Sequence, residues 1–377
     1  MIAEARRASA AFALFDASGA AVQSGEAIAV AGDDTLTVGP VTVSFLDADT
    51  LRAADYRIEL GLWPGGRLEL SQLGRRFETF AGELRRLRNQ ARVAGLLAHG
   101  VAMPETFLGA VITDSRRRTA DFLVFDTHVT IVPEDADPWQ VPLGAVTAVR
   151  FQPDPPAVVL ETAGGLTTLG QLARRREACE GAIVERCEAQ RGLLAELTGQ
   201  SGFSDGWGVA RVDVGAFDAL VERFTSPDRA ACARSLVAAA TADPRLGFVQ
   251  LLDPEPDPMP SPARLPEHWA AFLLVPVGSL TVLEILAGPS AATYVFRGEM
   301  DAVNRDLQAL HFRRAPLALT AEQAQLGPDN PYRLALRRLQ PLQRLRSITT
   351  ARVVHTQGWE RGLRTAITTP LPDASAP

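Results

Sequence analysis

The chain has 377 residues, of which 46% are hydrophobic and 22% charged, and its formal net charge is −6. That balance suits two or three globular domains and excludes the global basic field that favours nucleic acid. All 38 basic residues are arginine, so no Schiff-base lysine, P-loop lysine or kinase-type strand lysine can exist here.

The opening stretch holds only a short apolar run before Asp16, too short for a signal peptide. No later stretch approaches about 18 uninterrupted apolar residues. The expectation is a cytoplasmic chain without a transmembrane segment. Three cysteines, Cys179, Cys187 and Cys232, cannot all pair, and so low a density points to a reducing compartment. Cys179 and Cys187 lie eight apart in a helical stretch. That puts them about 12 Å apart along the axis, too far for a disulfide, so they read as small core residues.

In the first hundred residues, Tyr56 to Leu62 alternates apolar and polar, as a half-buried strand does. Trp63 to Gly66 reads as a turn and Leu68 to Leu70 as a returning strand. A helix follows, with Phe77, Phe80, Leu84, Leu87, Ala91 and Ala94 on one stripe. Arg75, Arg76, Arg85, Arg86, Arg88 and Arg92 fall mostly off that stripe and are expected in solvent.

In the second hundred, Leu108 to Thr113 pairs through Asp114 to Arg118 with Ala120 to Asp126. His128 to Val132, the stretch Trp139 to Phe151, and Val158 to Glu161 read as further strands. A helix carrying Cys179, Ile183, Cys187 and Leu194 closes the run. The two regions are related by an internal repeat. Gly65–Gly82 matches Gly164–Gly181 without a gap at nine of eighteen positions, including Gln72/Gln171, Leu73/Leu172, Arg75/Arg174 and Arg76/Arg175. A period near 100 residues is too long for a solenoid and right for a duplicated small domain.

Several antiparallel strands closed by one amphipathic C-terminal helix resemble the pleckstrin-homology-like (PH-like) superfold as it occurs in tandem in bacterial proteins. The resemblance spans residues 8–98 and 104–198, with Phe80 and Cys179 on the stripe where eukaryotic PH domains commonly carry a tryptophan. It implies an α+β protein of tandem bent antiparallel β-barrels, each capped by its final helix, with domains at 1–100 and 101–200.

Residues 201–377 are less regular. Val214 to Ala240 looks helical and is broken at Ser226-Pro227, and Leu251 to Pro266 is a proline-dense loop. Strands are expected at Ala270–Pro276, Leu280–Ala287 and Thr293–Arg297, then a helix from Glu299 to Arg314. The order suggests a third PH-like unit with a helical insertion. A basic helix near Pro331–Thr350, interrupted at Pro341, forms a tail whose leucines pack on the preceding domain with arginines outside.

Candidate chemistry is sparse. Gly202-Phe-Ser204-Asp-Gly206 matches the nucleophile elbow, but a helix enters and loop or strand leaves, the inverse of the required context. It reads as a linker. His99, His128, His268, His311 and His355 are scattered, without metal-ligand spacing. No catalytic residue, metal site or cofactor is assigned.

Ser115-Arg116-Arg117-Arg118 lies where the resemblance puts the first hairpin loop of the second unit. In lipid-binding PH domains, basic residues there hold phosphates, so Arg116, Arg117 and Arg118 are the anion-binding candidates. The equivalent stretch of the first unit, Asp16–Gly25, has no cation. The expectation is a non-enzymatic binding or scaffold protein contacting a protein partner or another copy of itself. The alternative is peripheral binding of anionic lipid or a phosphate ligand through Arg116–Arg118.

Overall fold

The computed structural model describes residues 2–100, 103–113, 116–198, 209–211, 227–250, 269–285, 292–328, 330–355 and 358–368. After a short helix α1 (Ile2–Ala5), seven strands form the first sheet: β1 (Arg7–Phe15), β2 (Ala21–Ala31), β3 (Thr35–Val38), β4 (Val41–Ser44), β5 (Ala48–Ala54), β6 (Arg57–Leu62) and β7 (Arg67–Ser71). Their spatial order is β4-β3-β2-β1-β7-β6-β5, antiparallel throughout. Inward residues such as Ala8, Ala10, Phe12, Ile58, Leu60, Leu68 and Leu70 alternate with solvent-facing neighbours. Helix α2 (Phe77–Gly95) lays Phe77, Phe80, Leu84, Leu87 and Ala91 onto this core.

The second unit repeats the plan. Its strands are β8 (Glu105–Thr113), β9 (Arg116–Val124), β10 (His128–Pro133), β11 (Trp139–Pro142), β12 (Val146–Pro153), β13 (Pro156–Thr162) and β14 (Gly165–Gly170). Their order is β11-β10-β9-β8-β14-β13-β12, the first order shifted by seven. Helix α3 (Arg176–Thr198) buries Cys179, Ile183 and Cys187. Both sheets are open ladders capped by a helix: their outermost strands are not paired to each other, so hydrogen bonding does not close the expected barrels.

The sequence repeat has a local cause. Gly66 and Gly165 both take positive φ, +115° and +129°, in the turn before the last strand. A Cβ at Gly66 would meet the Phe15 carbonyl oxygen at 2.6 Å. Gln72 and Gln171 are both left-handed, as are the next-but-one residues Gly74 and Ala173. Each pair leads into one 3₁₀ turn and then the closing helix. The turn arginines also match: Arg76 Nη1 donates to the Arg7 carbonyl at 3.1 Å, and Arg175 Nη1 donates to the Thr106 carbonyl at 2.8 Å.

Two arginines depart from the expected solvent face. Arg88 and Arg92 of α2 are buried. Arg88 donates to the carbonyls of Ala48 (2.9 Å) and Asp49 (2.6 Å), and Arg92 to that of Ala48 (3.1 Å) and to the Asp137 carboxylate. Helical spacing puts them beside the apolar stripe. There they satisfy carbonyls that β5 leaves unpaired where its register with β6 shifts between Ala48 and Thr50.

The third sheet does not repeat this plan. Strands β15 (Ala210–Arg211), β16 (Arg245–Gln250), β17 (Trp269–Val277), β18 (Leu280–Ile285), β19 (Ala292–Arg297) and β20 (Thr349–Val354) form a plain antiparallel meander in chain order. Helices cover both faces. On one lie α4 (Pro227–Ala238) and α9 (Trp359–Thr368); on the other lie α5 (Met300–Ala309), α6 (Ala315–Ala318), α7 (Arg333–Arg338) and α8 (Gln340–Ile348). Every residue of β18 is therefore buried, unlike the alternating strands of the first unit. The expectation of a third copy is corrected: strands followed by a helix occur in both plans, but their order differs.

The expected tail helix breaks at Leu339, ahead of Pro341, into α7 and α8. Its leucines Leu334, Leu342 and Leu345 are buried as expected. Several of its arginines are not left outside. Arg333 Nε donates to Asp47 at 3.1 Å, Arg337 to Asp49 at 2.8 Å, and Arg338 pairs with Asp49 at 2.8 Å. Arg337 also lies over the Trp63 ring, 4.7 Å from its centroid. The third segment thus returns to grip the β4–β5 loop and the start of β5 in the first unit.

Candidate functional site

The β8–β9 hairpin carries the three arginine candidates. Arg116 lies opposite Thr113, Arg117 opposite Ile112 and Arg118 opposite Val111. Successive strand residues point to opposite faces, so Arg117 is separated from Arg116 and Arg118. The three do not form one cluster. Arg118 is half-buried with its Nε 3.8 Å from the Asp135 carboxylate. Arg116 and Arg117 are exposed, and neither has an ion pair among the described residues.

Arg117 lines a cleft of about 520 Å³ with Ile112, Pro155, Pro156, the segment Gly170–Ala173 and Arg176. Arg176 stacks 4.0 Å over the Phe151 ring and reaches Glu177 at 2.8 Å and Glu180 at 3.6 Å. Its charge is largely answered, and that of Arg117 is not. The cleft therefore offers one uncompensated guanidinium beside a fixed one, on a partly apolar floor. In the first unit the matching hairpin is tighter than the sequence suggested. The turn is Asp16–Ala20, with the Asp16 carboxylate accepting from Ser18 N, Ser18 Oγ and Ala20 N.

The histidines are less scattered in space than in sequence. His99, His128 and His311 come together where the second unit meets the third segment. The His128 and His311 ring centroids are 4.0 Å apart, edge-on. Arg313 donates to the His99 carbonyl at 3.2 Å. Among the described residues no group of three metal-ligating side chains has the geometry to hold an ion.

A second polar group lies in the third sheet. Buried Glu284 accepts from Thr293 Oγ1 at 2.5 Å, and Thr293 Oγ1 accepts from Trp359 Nε1 at 2.8 Å. His355 Nε2 is 3.0 Å from that hydroxyl and 3.1 Å from the same carboxylate oxygen. A hydroxyl–imidazole–carboxylate relay needs its two partners on opposite ring nitrogens. Here both meet Nε2, so the cluster fastens α9 to the sheet and cannot relay a proton.

Burial pushes the Cys179 thiol up to about 12 and the Cys187 thiol up to about 11, so both are inert core groups. Ser204 and the glycines around it lie outside the described residues. No described helix is long and apolar enough to cross a membrane. The chain matches no protein-family model and no curated protein sequence.

Sequence reasoning missed the Arg88/Arg92 clamp and the histidine seam. Both join residues far apart in the chain: Arg92 to Ala48 and Asp137, and His311 to His128. Only the exact repeat spacing held a signal, because Arg92 and Arg191 occupy matched positions on the closing helices.

Proposed function

We propose that the chain is a non-enzymatic cytoplasmic binding or scaffold protein that presents repeated PH-like units to a protein partner or to another copy of itself. The observation that carries this reading is the duplicated seven-strand order with a matched closing helix, locked to a third sheet by Arg333, Arg337 and Arg338. Such an assembly holds outer surfaces at fixed spacing, which is what a scaffold requires. Those surfaces carry exposed apolar side chains: Val22 and Ile28 on the first unit, Leu108 and Leu166 on the second.

The test is sedimentation of the full chain, alone and with proteins it captures, for wild type and an Ile28→Arg/Leu166→Arg variant. The expected result is complexes in the wild type and their loss in the variant, with unchanged thermal unfolding. Complexes that survive both substitutions would remove these surfaces from the reading.

One observation favours a second reading. Arg117 has no ion pair among the described residues and lines a cleft that also holds Arg176, a setting for a phosphate or an anionic lipid headgroup. Co-sedimentation with phosphatidylserine vesicles, and titration with inorganic phosphate, separate the two sources. An Arg116→Ser/Arg117→Ser variant should lose whichever binding is seen.

A further inference from the structure

The seam between the second unit and the third segment contains a pair of facing imidazoles and, among the described residues, no carboxylate paired with them. His128, on β10, is fully buried and stacks on Phe125 with centroids 4.6 Å apart. Its Nε2–H points to the Ala98 carbonyl at 3.4 Å, and Thr127 Oγ1 lies 2.9 Å from Nδ1. Both ring nitrogens thus have neutral polar partners, a carbonyl and a hydroxyl. His311, partly buried, follows α5 in a left-handed conformation, φ +49°. Gln140 of β11 donates its amide to the Gln308 and Ala309 carbonyls, which fixes its oxygen as the acceptor for His311 Nε2–H.

The surroundings are of one sign. Among the described residues, the charged or titratable groups acting on the pair are Arg313 and His99. The acids on and between the packed elements are paired elsewhere: Asp126 to Arg186, Asp135 to Arg118, Asp137 to Arg92, Asp306 to Arg344 and Asp301 to Arg245. Strands β10 and β11 carry no acid at all. A proton on either ring would meet a second imidazole edge-on at 4.0 Å and a guanidinium beyond it, with no counter-charge among the described residues.

We propose that this seam is an acid-opened hinge, in which protonation of His128 and His311 separates the second unit from the third segment while the third stays clamped to the first. The clamp is of opposite design. Asp47 and Asp49 face Arg333, Arg337 and Arg338, so every charge in it already has a counter-charge. One junction is acid-labile and the other is not, which turns a uniform pH change into a directed movement.

The direction follows from linkage. Desolvation, followed by the positive neighbours, pushes His128 down to about 3 and His311 well below its ordinary value. In the opened state both rings return to about 6.5. The closed state is therefore fully favoured above about pH 6.5 and loses ground as pH falls below it. Each linked proton shifts the equilibrium about tenfold per pH unit, and two shift it about a hundredfold.

The experiment is small-angle scattering of the full chain from about pH 7.5 to about pH 5, above the range where ordinary carboxylates protonate. The expected result is a reversible rise in radius of gyration with far-ultraviolet circular dichroism unchanged. Hydrogen exchange should accelerate at 128–132 and 308–313 but not at 333–338. A His128→Phe/His311→Gln variant should stay compact over the same range. Gln140→Glu, which supplies the missing counter-charge beside His311, should move the wild-type transition to lower pH and keeps the test alive if the double variant misfolds. A wild type that stays compact until it unfolds globally, or a transition that neither variant moves, would overturn the proposal.

Discussion

The two closing helices occupy the same place in the same strand order, yet they are used differently. In α3 the position matching Arg88 is Cys187, whose Sγ lies 3.7 Å from the Leu143 carbonyl. In α2 the same face carries Arg88 and Arg92 and packs against α7. What the two share is the older requirement. Arg92 donates to the Ala48 carbonyl at 3.1 Å and its counterpart Arg191 to the Val146 carbonyl at 2.8 Å. In both units that carbonyl begins the strand at a register shift, Ala48/Thr50 in one and Val146/Ala148 in the other. A bulge leaves a carbonyl unpaired, and a long cation on the closing helix satisfies it. The first unit then extends the device into an interface.

The largest test of the shared plan is in the two cores. Phe80→Ala should cost about 3–5 kcal/mol, because it deletes a fully buried ring against Leu84 and Leu87. The matched Cys179→Ala removes one atom and should cost about 1 kcal/mol. Thermal unfolding measures both. Equal melting points for the two variants would mean that the stripes do not face equivalent cores.

The next test concerns where the plans diverge. Arg92→Ala should cost about 2–3 kcal/mol, since it strips the Ala48 carbonyl and the Asp137 carboxylate of a buried partner. Burial lowers the Arg92 guanidinium to about 9, which still leaves it charged at neutral pH. Arg191→Ala, near solvent, should cost about 1 kcal/mol. If Arg191→Ala proves as costly as Arg92→Ala, the bulge rather than the interface sets the energy.

The legibility of the fold follows the same divide. The repeat, the apolar stripe through Phe77, Phe80, Leu84 and Leu87, and the strands of the second unit could be read because neighbours in sequence make them. The long β1–β2 hairpin was hidden, since alanines and Gly25 give β2 little apolar alternation. The third sheet was misread as another copy because β18 and β19, buried on both faces, hold no period that tells one strand order from another. Of the candidate arginines, their place on a hairpin was legible. Their division between two faces was not, because it depends on where β9 begins, at Arg116.

The smallest effect isolates the backbone alone. Gly74 and Ala173 stand at the same place after the left-handed glutamines, with φ +55° and +48°. For alanine the left-handed region costs roughly 1–2 kcal/mol from its own Cβ. Glycine gives back roughly 0.4–1 kcal/mol through its freer unfolded chain. A Cβ built on Gly74 finds no atom within 4 Å, so packing does not enter the difference. Ala173→Gly should therefore stabilise the second unit by about 0.5–1 kcal/mol, and Gly74→Ala should destabilise the first by about as much. Denaturant unfolding of both variants checks the pair. An Ala173→Gly variant no more stable than wild type would mean that the second unit's turn has relaxed away from the first's, and that the repeat in sequence outlasts the repeat in backbone.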